Sequence, residues 1–339
     1  MQREAFGITL EGEVVERITL EGGGLTARFL TYGATLQDLR LAGHDAPLVL
    51  GFEKLEHYVS QTYYFGATVG RYANRIAGGS FRLDGQLYQT DRNDGPNTLH
   101  GGSKGLDRRV WQVADLGKDF LTLKIADPSG TMGFPGSVEI SCTFSLKQGG
   151  KLAIEMKAKT DRATLVNLAH HSYFNLDDGG EGSILDHRLS IAAMAYTPTD
   201  TACIPTGEVL PVAGTDSDFL LPRAIRLREE NRVAYDHNFC VSSARGSLRR
   251  VAWAQGSKSG VEMEVWSTEP GLQFFAGQFP DVEVPGLGGM HYRTHAGFCL
   301  EPQIWPDSPN RPYFPQAVLR PGEVYRQLTE YRFRGPDEA

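Results

Sequence analysis

Apolar and polar residues alternate with a period of two along much of the chain. Val138, Ile140, Cys142, Phe144 and Leu146 are separated by Glu139, Ser141, Thr143 and Ser145, so one face of this strand is apolar and the other wet. After Gly149-Gly150 the alternation resumes, with Leu152, Ile154, Met156 and Ala158 set against Lys151, Glu155, Lys157 and Lys159. This predicts an antiparallel hairpin. A second hairpin is predicted where Phe81-Arg82-Leu83 and Gln86-Leu87-Tyr88 flank Asp84-Gly85, a pair that tolerates the positive φ angles of a tight turn. Further alternating stretches lie at Leu25 to Leu30, Leu121 to Ile125, Val261 to Trp266 and Val324 to Phe333. No long segment keeps an apolar stripe at helical spacing. Only short helical turns are expected, one of them near Glu53 to Tyr58.

Hairpin-joined strands over the whole length, with no linker and no shift of composition, predict an all-β fold: one large antiparallel sandwich with few short helices. A length of 339 residues would by itself allow two domains, but all-β bodies of this size are often continuous. A single domain over 1–339 is therefore expected. Glycine supplies 39 residues, above the average of roughly 7%, and its scatter reads as many turns. The stretches Thr197 to Phe219 and Pro302 to Pro321 are the least regular, and long ordered loops on a rigid scaffold commonly carry binding groups.

The net charge of −7 argues against nucleic acid, whose backbone needs clustered Lys and Arg. No run approaches 18 apolar residues and the first residues lack a signal-type apolar core, so no membrane association and a cytoplasmic location are expected. Cys142, Cys203, Cys240 and Cys299 form no C-x-x-C pair; buried free thiols are expected rather than a zinc or redox site. Gly101-Gly102-Ser103-Lys104-Gly105 matches G-x-S-x-G, but that elbow works only between a strand and a helix, and the charged residues after it form no such helix. Adjacent His170 and His171 point to opposite faces of a strand and cannot jointly hold one ion. With no nucleotide fingerprint either, neither cofactor nor metal is expected.

Polar residues are informative where they interrupt strands that should be buried. In Asn167 to Asn175 one alternating set is Asn167, Ala169, His171, Tyr173 and Asn175, polar enough to line a wet cavity. For His171 a structural role, bonded to a carbonyl, and a functional one are about equally weighted. In Phe298 to Ile304, Glu301 and Gln303 share one face and Leu300 and Ile304 the other. A carboxylate on a buried strand is either paired or functional. Gly70 to Ile76 adds Asn74 and Arg75, Asn97 to Gly102 adds His100, and Tyr235 to Phe239 adds Asp236. Together these side chains suit a polyhydroxylated ligand, in which planar polar groups meet hydroxyls and rings stack on C–H faces.

The blocks GRYANRIAGG, NTLHGG, HHSYFNL, YDHNF, PGLQFFAGQF and CLEPQIWPDSPNRPYFPQAVLRPGEVY resemble those of the aldose 1-epimerase family, the galactose mutarotases, in the family's order. TPTDTACIPTGEV is similar to its substrate-side loop. The resemblance spans about Gly70 to Tyr325. It implies a mutarotase-type β-sandwich that interconverts the α and β anomers of a free aldose, galactose, glucose or a related monosaccharide. It further implies Glu301 as general base, His171 as general acid, and His100 as an assistant at the ring oxygen or an adjacent hydroxyl. Asn74, Arg75, Asp236 and Gln273 would hold sugar hydroxyls. His170 stands where the family often has Asn, and alternation turns it away from the His171 face.

Three other readings compete. A hexose-phosphate 1-epimerase would need extra basic residues, for which Arg108 and Arg109 are candidates. A glycosidase could pair Asp236 with Glu301. A sugar-binding or sensor protein on the same scaffold would need no matched acid and base. No coiled coil or symmetric interface is readable, so monomer and homodimer stay equally open.

Overall fold

A computed structural model describes residues 2–226 and 235–336. A nine-stranded sheet runs in the order Gln112–Leu116, Phe120–Asp127, Val138–Lys147, Lys151–Thr160, Tyr325–Arg334, Glu262–Ser267, Arg249–Gln255, Arg188–Ile191 and Arg223–Ala224. A six-stranded sheet takes Tyr173–Phe174, Phe298–Gln303, Gly271–Phe275, Asp236–Cys240, Ala195–Thr197 and Leu210–Pro211 in that order. A four-stranded sheet of Gln2–Ile8, Val14–Gly22, Leu25–Leu30 and Thr35–Leu41 completes the larger layers. The ladders of all three sheets are antiparallel.

Side chains from the three sheets meet in one buried cluster: Phe144, Ile154 and Val265 from the largest, Phe298, Leu300 and Phe274 from the six-stranded one, Phe29 and Leu36 from the smallest. Phe29 and Phe144 pack with ring centroids 4.5 Å apart, and Phe174 lies 4.9 Å from Tyr331 across the layers. Each such side chain removed from water contributes about 1.5 to 3 kcal/mol. The architecture is the antiparallel sandwich that the alternation predicts.

The two predicted hairpins form. Leu146 pairs with Leu152 and Lys147 with Lys151, which turns Ile140, Phe144, Ile154 and Met156 inward together. In the shorter hairpin Leu83 pairs with Gln86, and Asp84 and Gly85 take φ angles of 50° and 80°. The expected helical turn is the helix Leu55–Ser60. Asn167 to Asn175 differs from a single strand. Ala169–His170 pairs with Thr68–Val69, whereas Tyr173–Phe174 pairs with Phe298–Gln303. The chain changes partners at His171 and Ser172 because each half completes a different ladder. The cysteines also differ from expectation: all four are free, but Cys203 and Cys240 are only half-buried, and Cys142 and Cys299 are fully so. Gly101 to Gly105 opens onto the three-residue turn Leu106–Arg108 rather than a long helix.

Candidate active site

The six-stranded sheet is the floor of the site. Its register sets Tyr173, Cys299, Phe275 and Asp236 in one row across four strands, and Glu301, Gln273 and Asn238 in the next. Residues paired across an antiparallel ladder share a face. Phe174, Phe298, Leu300, Leu272 and Phe274 therefore point the other way, into the core. An apolar underside anchored in the sandwich fixes the polar face above it.

His171 enters from the break between strands. Its backbone N–H donates to Ala67 O at 2.9 Å, and its carbonyl accepts from Gly66 N–H at 3.0 Å. The imidazole is flanked by Tyr64, with centroids 5.6 Å apart, and by Tyr173 at 5.2 Å. Its Nε2 lies 3.5 Å from Glu301 Oε2. His170 faces the sandwich core instead, with Nε2 2.8 Å from Ser172 Oγ and its ring against Phe144 and Tyr331. Only one of the adjacent histidines reaches the site.

His100 and Asn74 hold each other. The Asn74 N–H donates to His100 Nδ1 at 3.1 Å, and the His100 N–H donates to Asn74 O at 3.0 Å. Both residues have positive φ, 62° and 51°, a conformation held only where surrounding contacts enforce it. The next residue explains part of that enforcement: a Cβ on Gly101 would lie 2.1 Å from the Gly70 carbonyl oxygen. Only glycine lets these two segments approach so closely. The His100 ring then sits 5.1 Å from that of His171 and 4.7 Å from that of Tyr64.

The remaining polar groups form a chain. Gln303 Nε2 donates to Gln273 Oε1 at 3.4 Å, and Gln273 Nε2 donates to Asp236 Oδ1 at 2.6 Å. Arg75 reaches Asp236 Oδ2 at 3.7 Å through one nitrogen and donates its Nε–H to Asp94 Oδ2 at 2.7 Å. Arg71, close by in sequence, is buried against Asp127 and serves the scaffold. Above this chain the two irregular stretches are pinned together: Arg311 donates to Pro205 O at 2.6 Å and Tyr313 to Gly207 O at 2.6 Å. Cys203, in the same loop, lies beside Asp236 and Arg75.

The seven residues predicted from sequence thus converge. Tyr64 and Asp94 were not singled out there. Tyr64 lies within Tyr63-Tyr64-Phe65, which reads as core, and Asn93-Asp94-Gly95 reads as a turn. Only tertiary contacts give them a place in the site.

Electrostatics follow from burial. Glu301 is 2% exposed and its Oε2 has no hydrogen-bond partner among the described residues. Burial pushes its carboxyl well above the usual carboxylate range, nearby Asp236 adds to the rise, and Arg75 opposes it. Burial lowers His171 to about 4. His100 is held well below its ordinary value by burial, with His171 and Arg75 adding to the effect. A neutral His100 that accepts the Asn74 N–H at Nδ1 carries its own proton on Nε2, which makes it a fixed donor.

His100, His171 and Glu301 could also be read as metal ligands, since one atom of each lies within 4.8 Å of the others. A coordinating imidazole must offer a bare nitrogen. His100 has none to spare, because Nδ1 is taken by Asn74 and Nε2 bears the hydrogen. The trio suits acid–base chemistry better than coordination.

Known proteins resemble this chain over most of its length. The family model described as Aldose 1-epimerase matches residues 16–332. The galactose mutarotase of Bos taurus is 40% identical, with 98% of each chain covered. The aldose 1-epimerase of Escherichia coli K12 is 34% identical over 98% of this chain and 99% of its own. Among solved structures, an aldose epimerase homologue from C. elegans superposes with a TM-score of 0.88 at 30% identity, covering 94% of this chain and 98% of that one. A galactose 1-epimerase from Lactobacillus acidophilus gives 0.84 at 25% identity, with 98% of each covered. With a family match from residue 16 to residue 332 and relatives at 34 to 40% identity, this chain belongs to the aldose 1-epimerase family.

Proposed function

We propose that Glu301 and His171 form the acid–base pair with which this chain interconverts the α and β anomers of aldoses. The activity itself follows from the family: the protein is an isomerase, an aldose 1-epimerase. The residue roles rest on one observation above all, the buried approach of His171 Nε2 to an unpartnered oxygen of Glu301 at 3.5 Å. A pure sugar binder has no use for a buried carboxylate aimed at an imidazole.

Glu301 takes the proton of the anomeric hydroxyl while His171 protonates the ring oxygen. The C1–O5 bond breaks and an open-chain aldehyde forms. Rotation about C1–C2 presents the other carbonyl face, and the reverse transfers close the ring. His100, donating from Nε2, stabilises negative charge on the ring oxygen or a neighbouring hydroxyl. Asn74, Arg75, Asp236 and Gln273 hold the other hydroxyls, and Asp94 orients Arg75. Positioned acids and bases contribute about 10²- to 10⁴-fold each.

Proton count fits this cycle. A protonated Glu301 beside a neutral His171 holds as many protons as a carboxylate beside an imidazolium. Burial favours the first arrangement, which is also the state left on the protein when the sugar is open. The second arrangement begins and ends each turnover. The contributing residues are spread from Asn74 to Glu301, which supports reading 1–339 as one catalytic unit.

A phosphorylated substrate gains no support from the two arginines raised for it. Arg109 donates to Asp127 and to Ala126 O, and Arg108 to Val59 O and Gln61 O. Polarimetry on freshly dissolved α-galactose and α-glucose tests the proposal. The purified protein should speed mutarotation above buffer, and His171→Gln should lower kcat by at least about 100-fold while sugar affinity stays nearly unchanged. A His171→Gln variant as fast as the wild type would overturn the assignment.

A further inference from the structure

We propose that Cys299 is a positioning residue that fixes the tautomer of His171, its sulfur accepting the hydrogen on Nδ1 so that Nε2 is the nitrogen that exchanges protons with the sugar. The inference rests on the reading of His171 as the acid and deepens it. Cys299 Sγ lies 3.6 Å from His171 Nδ1, within range of a hydrogen bond to sulfur. The residue is fully buried and stands two positions before Glu301 on the same face of the same strand. Its ladder partner is Tyr173, whose ring stacks on His171 with an interplanar angle of 29°. Tyr64 covers the imidazole at 31°. Between two rings the imidazole has little freedom to turn toward another acceptor.

The chemistry needs such a partner. An imidazolium that gives its Nε2 proton to a ring oxygen keeps the other on Nδ1, and only that neutral tautomer can take the Nε2 proton back. Without an acceptor at Nδ1, the neutral ring is free to carry its hydrogen on Nε2, leaving the nitrogen that faces Glu301 unable to accept. Among the described residues, Cys299 is the only hydrogen-bond partner of Nδ1. Burial holds the thiol itself well above its ordinary pKa, so it stays an S–H group and adds no negative charge beside Glu301. A soft, neutral acceptor orients the ring without drawing the proton away.

Histidine ¹⁵N spectra of the ligand-free protein, with the His171 signals assigned by their loss in His171→Gln, read the tautomer directly, and kcat, KM and the pH profile are measured alongside. The wild type should show Nδ1–H. Cys299→Ser should keep that tautomer and a kcat within about threefold of the wild type, since a hydroxyl also accepts. Cys299→Ala should populate both tautomers and lower kcat about three- to tenfold, the equivalent of one neutral hydrogen bond, with KM unchanged and the acid limb of the profile moved to lower pH. A Cys299→Ala spectrum and pH profile identical to the wild type would overturn the inference, even if His171→Gln is slow. A fast His171→Gln would overturn the parent reading instead, and the ¹⁵N spectra would still decide the tautomer. Comparing the serine and alanine variants separates loss of the acceptor from loss of packing.

Discussion

Replacing Glu301 by Gln should make the protein more stable and nearly inactive at once. Glutamine keeps the shape but offers no carboxylate to take the anomeric proton, so mutarotation should slow by about 10²- to 10⁴-fold. The stability change comes from the same burial. Glu301 is 2% exposed with one oxygen unpartnered, and an unsatisfied buried polar group costs about 1 to 3 kcal/mol. The gain should depend on pH. Because the folded pKa is raised, folded and unfolded chains both hold the proton well below about 4.5, and the wild type carries little penalty there. As pH rises toward the folded value, the unfolded chain releases a proton that the folded one retains. The wild type then loses stability relative to the variant by up to about 1.4 kcal/mol per pH unit. With an unfolding entropy near 2.1 cal/mol/K per residue, the 339-residue variant should melt about 1.5 to 4 °C above the wild type at pH 7. The difference should shrink toward pH 4. Thermal melts at the two pH values, paired with polarimetry, read both effects. A variant that melts lower than the wild type at pH 7, or whose advantage grows on acidification, would refute the burial argument. A rate within threefold of the wild type would refute the base assignment.

The pH profile of kcat/KM, which reports the free enzyme, should fall below about pH 4, where His171 gains a second proton for the pair. It should fall again at high pH, above the raised Glu301 value, where the pair loses the proton it exchanges with the sugar; an acid limb near 6.5, the ordinary histidine value, would contradict this. Asp94→Asn should loosen Arg75 and raise KM about three- to tenfold, with kcat within about twofold; steady-state kinetics would show equal loss in both if Arg75 acts otherwise. Burial holds His170 near pH 3, so it is neutral in the folded chain while the unfolded chain takes up a proton below about 6.5. Its contribution is present above that pH and lost as pH falls toward 3. His170→Asn should therefore flatten the loss of stability between pH 6 and 4 by up to about 1.4 kcal/mol per unit, measured by urea unfolding; an unchanged slope would count against a buried neutral His170.

Local alternation carries far in this chain, and its reach ends where pairing becomes non-local. The hairpin of Val138–Lys147 and Lys151–Thr160 could be written from side-chain order because its two strands are neighbours in sequence. The faces of Phe298–Gln303 were legible for the same reason: Glu301 and Leu300 differ by one position and so by one face. The break at His171 was not, since it arises from two ladders with partners more than a hundred residues apart, Val69 and Cys299. Six of the seven candidate-site residues stood out as polar interruptions of strands that should be buried, and the family motifs added Gln273 and the roles proposed for all seven. Tyr64 and Asp94 have no local signal of function and gain their place only by touching His171, His100 and Arg75.

The order of strands in the six-stranded sheet also bears on how the protein folds. Neighbours in that floor join residue 173 to residue 299, and 299 through 275 to 236, so no short stretch of chain contains the proposed acid and base together. Loop closure over such separations is slow relative to hairpin formation. During refolding, strand structure in the local hairpins should return first, and mutarotase activity should lag behind it as the last long-range ladder closes. The enzyme's turnover is then its own reporter of completed topology.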